Sequence, residues 1–166
     1  MELFDQKFKA NKGWYVIQCL LAMVSVLVVL IVLKTISSAA IIASLGASAF
    51  IVFTLPKTEA SRPKVMIGAY IIGVAIGTGC YWLAQLVPVT GTVAKEYVTI
   101  AFAAAAVGSA IFLMTVTNTE HAPATGIALG LVIQEWHWAA VAVVLVGCAG
   151  LCLAKWLLRS WLKNLA

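Results

Sequence analysis

The sequence predicts an all-α membrane protein of five to six transmembrane segments, one of them short or broken, and three observations carry that expectation. Of its 166 residues, 63% are hydrophobic and only 10% charged, whereas soluble domains run nearer half apolar and a quarter charged. A soluble core could not hide that much apolar surface in so short a chain. The apolar residues also come in unbroken runs of about 20, long enough to cross ~30 Å of hydrocarbon as helices. Lipid forces the backbone to bond within itself, and the ten-residue alternation of a closed barrel is missing.

The first run spans residues 14–33, opens on Trp14 and Tyr15, and follows Lys7, Lys9 and Lys12. It is long enough to span, and no small-residue cleavage site with a polar sequel follows, so it reads as a retained helix rather than a signal. The second covers residues 36–55 and contains Ser44-Leu45-Gly46-Ala47-Ser48. The third, 65–87, carries Gly68, Gly73, Gly77 and Gly79, and the fourth, 97–116, carries Ala101 to Ala106 with Gly108. Small residues let membrane helices approach closely, and Gly73-x-x-x-Gly77 has the spacing of such a contact. The run from Ala122 to Ile133 is only about a dozen residues, which fits a broken or re-entrant element. The last, 138–158, is flanked by Trp136 and Trp138 before it and by Trp156 and Trp161 after it. Tryptophan favours headgroup depth, and the tail from Lys155 to Lys163 is expected to lie in the interface with its cations reaching water.

Cation placement sets the orientation. With six crossings and a cytoplasmic N-terminus, Lys7, Lys9, Lys12, Lys57, Arg62, Lys64, Lys155, Arg159 and Lys163 fall inside, and only Lys34 and Lys95 outside. If the short segment merely dips in and returns, the asymmetry nearly vanishes, so six crossings is the better reading. A bacterial inner membrane is the expected location. The chain is a single transmembrane domain whose halves, 14–87 and 97–158, would then lie in opposite orientations, as in inverted-repeat transporters.

The net charge of +5 belongs to loops and ends facing anionic headgroups rather than to a nucleic-acid surface. Cys19, Cys80, Cys148 and Cys152 lie within apolar runs and read as small core residues. Neither a metal set nor a cofactor is expected.

Two segments carry polar or helix-breaking residues at the middle of each half. One holds Ser44, Gly46, Ala47 and Ser48; the other begins Asn118-Thr119-Glu120-His121-Ala122-Pro123-Ala124-Thr125-Gly126. A helix starting inside the membrane presents free N–H groups and the positive end of its dipole. Pro123 suits the first turn, having no N–H to lose. Ser44, Ser48 and Thr125 offer hydroxyls, and Gly46 and Gly126 let a ligand approach the backbone. His121 is either a neutral donor or a titrating group. Such a site suits a small inorganic anion without a costly midplane cation. A cation path would call for buried acids, and Glu120 and Glu135 lie near segment ends. Arg62 and Lys64 could draw anions to the entrance. No hydrolase or phosphate-loop motif is present, and no enzyme activity is expected. The competing readings are a structural or assembly subunit and, less well supported, an intramembrane enzyme using His121.

These motifs resemble the HPP family of small integral membrane proteins. Ser44-Leu45-Gly46-Ala47-Ser48-Ala49 is similar to its serine–glycine–alanine motif, and Pro63-Lys64 with Ile67-Gly68 to the stretch opening its next helix. His121-Ala122-Pro123-Ala124-Thr125-Gly126 stands where its His-Pro-Pro signature belongs. The order matches from about residue 36 to 134. Two positions depart: Ala122 replaces the first proline, and Tyr70 stands where a histidine often occurs. The family's better-studied members are associated with nitrite transport in plastid and cyanobacterial membranes. The resemblance therefore implies a small oxyanion substrate, and the chain's small size implies a homo-oligomer.

Overall fold

A computed structural model describes residues 13–14, 16–25 and 39–165. The expectations for Lys7, Lys9, Lys12, Tyr15 and Lys34, and for the end of the first helix, lie outside them. Among the described residues every regular element is helical: α1 (Val16–Ser25), α2 (Ala39–Thr54), a 3-10 turn (Glu59–Ser61), α3 (Pro63–Gln85), α4 (Thr92–Val116), α5 (Pro123–Ile133) and α6 (Trp138–Leu158). The expected membrane helix bundle is what the chain forms. Three of these helices, α3, α4 and α6, are long and apolar enough to cross a bilayer. At 1.5 Å per residue, α5, with described residues on both sides, reaches only ~16 Å, short of the ~30 Å hydrocarbon layer.

Two boundaries extend past the apolar runs for local reasons. α3 starts at Pro63, a first-turn proline whose missing N–H removes no bond. α4 starts at Thr92, after Gly91 with φ 100°, and so takes exposed Lys95 and Glu96 into its first turns. The end of α4 is as sharply set. Asn118 adopts φ 52°, Thr119 N–H bonds Met114 O at 2.9 Å, and Asn118 N–H bonds Thr115 O at 3.3 Å. That pair of bonds across a left-handed residue is a Schellman stop, and asparagine is the best non-glycine residue for it. It turns the chain abruptly towards His121.

The helix ends sort onto two faces. Leu165 N–H bonds Thr54 O, Lys57 N–H bonds Asn164 Oδ1, and Gln18 Nε2 donates to Phe53 O and Lys163 O. The α2–α3 loop, the end of α6 and the start of α1 therefore share one face. The α4–α5 loop joins them through His121 and Ala60. Lys57, Arg62, Lys64, Lys155, Arg159 and Lys163 all belong to this face, so α5 and α6 together leave it and return to it. Opposite lies an aromatic belt, with ring centroids 5.5 Å apart for Tyr81–Trp82, 5.6 Å for Trp82–Trp136 and 4.7 Å for Trp136–Trp138.

α5 is apolar all round because it lies at the centre, between α2, α3 and α4. It runs parallel to α3: a Cβ on Gly73 would meet the carbonyl oxygen of Ala124 at 2.6 Å, and one on Gly77 that of Ala128 at 2.8 Å. It runs antiparallel to α2: Gly130 faces Ala40 and Ile41, and Gly126 faces Ser44. The glycine spacing on α3 thus becomes backbone-to-backbone packing of α3 on α5.

Candidate functional site

Where α2, α3 and the α4–α5 loop meet, three polar side chains are enclosed by apolar packing. Ser48, Tyr70 and His121 are 0%, 0% and 1% exposed. Ser48 Oγ lies 2.7 Å from Tyr70 Oη and 2.8 Å from His121 Nε2, and His121 Nδ1 lies 2.8 Å from the carbonyl oxygen of Ala60. A carbonyl only accepts, so Nδ1 carries the hydrogen and, in the neutral ring, Nε2 is the acceptor. Ser48 therefore donates to His121, and Tyr70 donates to Ser48. One directed chain results: Tyr70 to Ser48 to His121 to Ala60. Burial lowers the pKa of His121 from its ordinary 6.5, opposed by the bond to Ala60, so the neutral ring is the resting form.

The Ala60 carbonyl is itself held in place. Lys155 Nζ donates to Ser61 O at 2.5 Å and to Ser61 Oγ at 2.9 Å, while the single Ser61 hydroxyl hydrogen is shared between Pro56 O at 2.9 Å and Thr58 O at 2.8 Å. The α2–α3 loop is thereby tied to α6 from one side and to His121 from the other.

Two cavities adjoin the trio. One of about 250 Å³ lies between α4 and the start of α5 and is lined by Ile111, Met114, Thr115, Glu120, His121 and Thr125, among others. The second, of about 440 Å³, lies between the two loops beneath Thr58, Glu59, Ala60, Val65, Asn118 and Glu120. Glu120 lines both.

Other residues singled out in the sequence fall around this centre. Ser44 is buried, donates to Ala40 O at 2.8 Å and covers Gly126. Pro123 is buried in the first turn of α5, and Thr125 donates to Ala122 O at 2.8 Å while lining the smaller cavity. Gly46 and Ala47 face away from the trio on the exposed side of α2, Gly46 against a separate cavity of about 390 Å³ beside Gln18 and Cys19. Arg62 pairs with Glu59 at 2.8 Å on the surface, and Lys64 is exposed. His137 stands 3.8 Å from Glu135 in the open, an interfacial residue.

Sequence reasoning does not place Tyr70 with the candidate residues, although its position is one where the family often has histidine. A hydroxyl in the middle of an apolar helix was the available signal. Lys155 with Ser61 left no such signal, because their contact depends on how α6 ends against the loop. Among the described residues no group of three or more His, Cys, Asp or Glu is placed to hold a metal ion.

No curated protein and no solved structure matches the chain. The HPP transmembrane-region family does, over residues 8–164. That match takes in the helices, both loops and the trio, and this chain belongs to the HPP family of integral membrane proteins.

Proposed function

We propose that this chain carries a small inorganic anion across the membrane, with nitrite as the substrate that the family resemblance favours. One observation supports it most: Ser48, Tyr70 and His121 meet in a buried hydrogen-bonded chain within an otherwise apolar bundle. Buried polar groups are expensive in lipid and concentrate where a polar cargo passes. The chain ends beside the N-terminus of the half-length helix α5, whose dipole favours negative charge. The cavity lined by His121 and Thr125 gives a small ion a route towards it.

The test is uptake into liposomes holding the purified protein, comparing nitrite, nitrate, chloride and formate, with the leak of nitrous acid through bare lipid subtracted. Uptake of nitrite above the empty-vesicle rate is expected. A flat result for all four anions sinks the reading.

A second reading is favoured by the 2.8 Å contact of Ser48 Oγ with His121 Nε2, the geometry of an activated serine. Against it, the oxygen of Ser48 already accepts the Tyr70 hydroxyl. A serine-directed phosphonate that labelled Ser48 would favour hydrolysis over transport.

A further inference from the structure

The hydrogen-bond count of the trio has a consequence for what can bind there. In the neutral state it holds three donors, the Tyr70 hydroxyl, the Ser48 hydroxyl and the His121 Nδ1–H. It offers four acceptors, Tyr70 Oη, Ser48 Oγ, His121 Nε2 and Ala60 O, and the last three take all three donors. No donor is left over for an anion. Adding a proton at Nε2 turns the chain round: Nε2–H donates to Ser48, and Ser48 donates to Tyr70. Nδ1–H still holds Ala60. There are now four donors for three acceptors, and the Tyr70 hydroxyl needs an acceptor from outside. The imidazolium is also a buried positive charge, which is costly until an anion lies nearby.

We propose that the site takes up a proton and an anion together or neither, so that the protein moves the two as an electroneutral pair. This rests on the anion reading above. The Nε2–H bond forms on loading and breaks on release, so one proton accompanies each anion and no net charge crosses. The selected substrate class is then any small anion accompanied by a proton, which includes the conjugate base of a weak acid such as nitrite.

Few other ionisable groups face the trio. Tyr70 comes from α3, and the thiols of Cys148 and Cys152 on α6 stand near it. From α2 comes only Ser48, and the α4 lining of the nearby cavity, Ile111, Met114 and Thr115, is uncharged. Lys155 of α6 acts on Ser61 rather than on the ring. Glu120 lines both cavities, and Glu59 lines the outer one while paired with exposed Arg62. Glu120 is exposed, so water screens its charge from His121. Among the described residues it is nevertheless a carboxylate that could take the place of the anion.

The deciding experiment uses the full chain in liposomes with a trapped pH dye and nitrate as the probe. Nitric acid is so strong that nitrate does not leak through lipid as the neutral acid. Expected are acidification of the lumen as nitrate enters, a rate that rises as external pH falls, and no response to a potassium–valinomycin potential of either sign. Ser48→Ala, which removes the central link, should cut nitrate-driven acidification about tenfold, whereas Tyr70→Phe should keep acidification tied to flux, because the Ser48 hydroxyl then becomes the free donor. Nitrate flux that builds a potential without acidification overturns the coupling and leaves the anion reading standing. Absence of flux for both nitrate and nitrite overturns the two together. Coupling lost in Glu120→Gln but kept in Ser48→Ala would place the proton on Glu120 and also overturn the proposal.

Discussion

A Cβ added at Gly73 would stand 2.6 Å from the carbonyl oxygen of Ala124, closer than real Cβ atoms come to backbone. One turn on, a Cβ at Gly77 would lie 2.9 Å from the Cα of Ala128. Neither neighbour is a flexible side-chain tip, so α5 would have to move bodily away from α3.

Gly73→Val and Gly77→Val should therefore each destabilise the bundle by ~2 kcal/mol or more, at the upper end of overpacking costs. Thermal unfolding in detergent measures it. Gly79→Val is the matched control, since nothing lies within 4 Å of a Cβ there, and its midpoint should stay close to the parent's. Equal losses in all three would mean that helix propensity, not the α3–α5 contact, sets the effect.

Removing the Ser48 hydroxyl leaves His121 Nε2 and the Tyr70 hydroxyl buried without their partner. Ser48→Ala should cost ~1–3 kcal/mol, more than Tyr70→Phe, which leaves the bond from Ser48 to His121 intact. The double variant should show a coupling of ~0.5–3 kcal/mol, because both changes act on one chain of bonds. Strict additivity in chemical denaturation would break the network description.

Stability should depend on pH through His121. Its pKa is lowered in the folded protein by burial, while the unfolded chain titrates near 6.5. Above that value both states are neutral and the residue contributes no slope. As pH falls below it, the unfolded chain takes up a proton that the folded one resists, so stability drops until the folded pKa is reached. The slope is at most about 1.4 kcal/mol for each pH unit crossed. His121→Gln should flatten the profile below pH ~6.5, as read from unfolding midpoints across a pH series. An unchanged profile would move the titration elsewhere.

Lys155→Met should loosen the α2–α3 loop, since the ammonium holds both the carbonyl and the hydroxyl of Ser61. Faster amide exchange across residues 58–62 is expected, with exchange in the middle of α4 unaffected. Lys155→Arg should restore part of the protection, as a guanidinium can still donate to the same carbonyl. Protection that survives Lys155→Met would show that the loop is held by its own turns and by Ala60 alone.

Much of this architecture is legible in the chain. Apolar runs, the first-turn prolines at 63 and 123, and the glycines of α3 each act locally or against any close neighbour. Their consequences follow from lipid as solvent. The placement of the candidate residues is legible only in part. Ser44, Ser48, His121, Pro123, Thr125 and Gly126 lie around the α2–α5 contact, yet Gly46 and Ala47, in the same motif, face away from it. The 100° step per residue of a helix gives each position its own direction, and four neighbouring residues cannot all point at one place. Glycine and alanine also leave no side-chain signal of which face they occupy.

The sequence by itself determined that this is a bundle of membrane helices with a short central segment, because lipid leaves the backbone only helices or a closed barrel, and unbroken apolar runs do not make a barrel. Only the tertiary structure decided which polar groups meet. Ser48 finds Tyr70 22 positions away and His121 73 positions away. It does so because α5 runs parallel to α3 and antiparallel to α2, and the Schellman turn at Asn118 brings the loop to their junction. Hydrogen-bond partners are set within a few tenths of an ångström by helix crossings, and a crossing depends on all the residues along it at once.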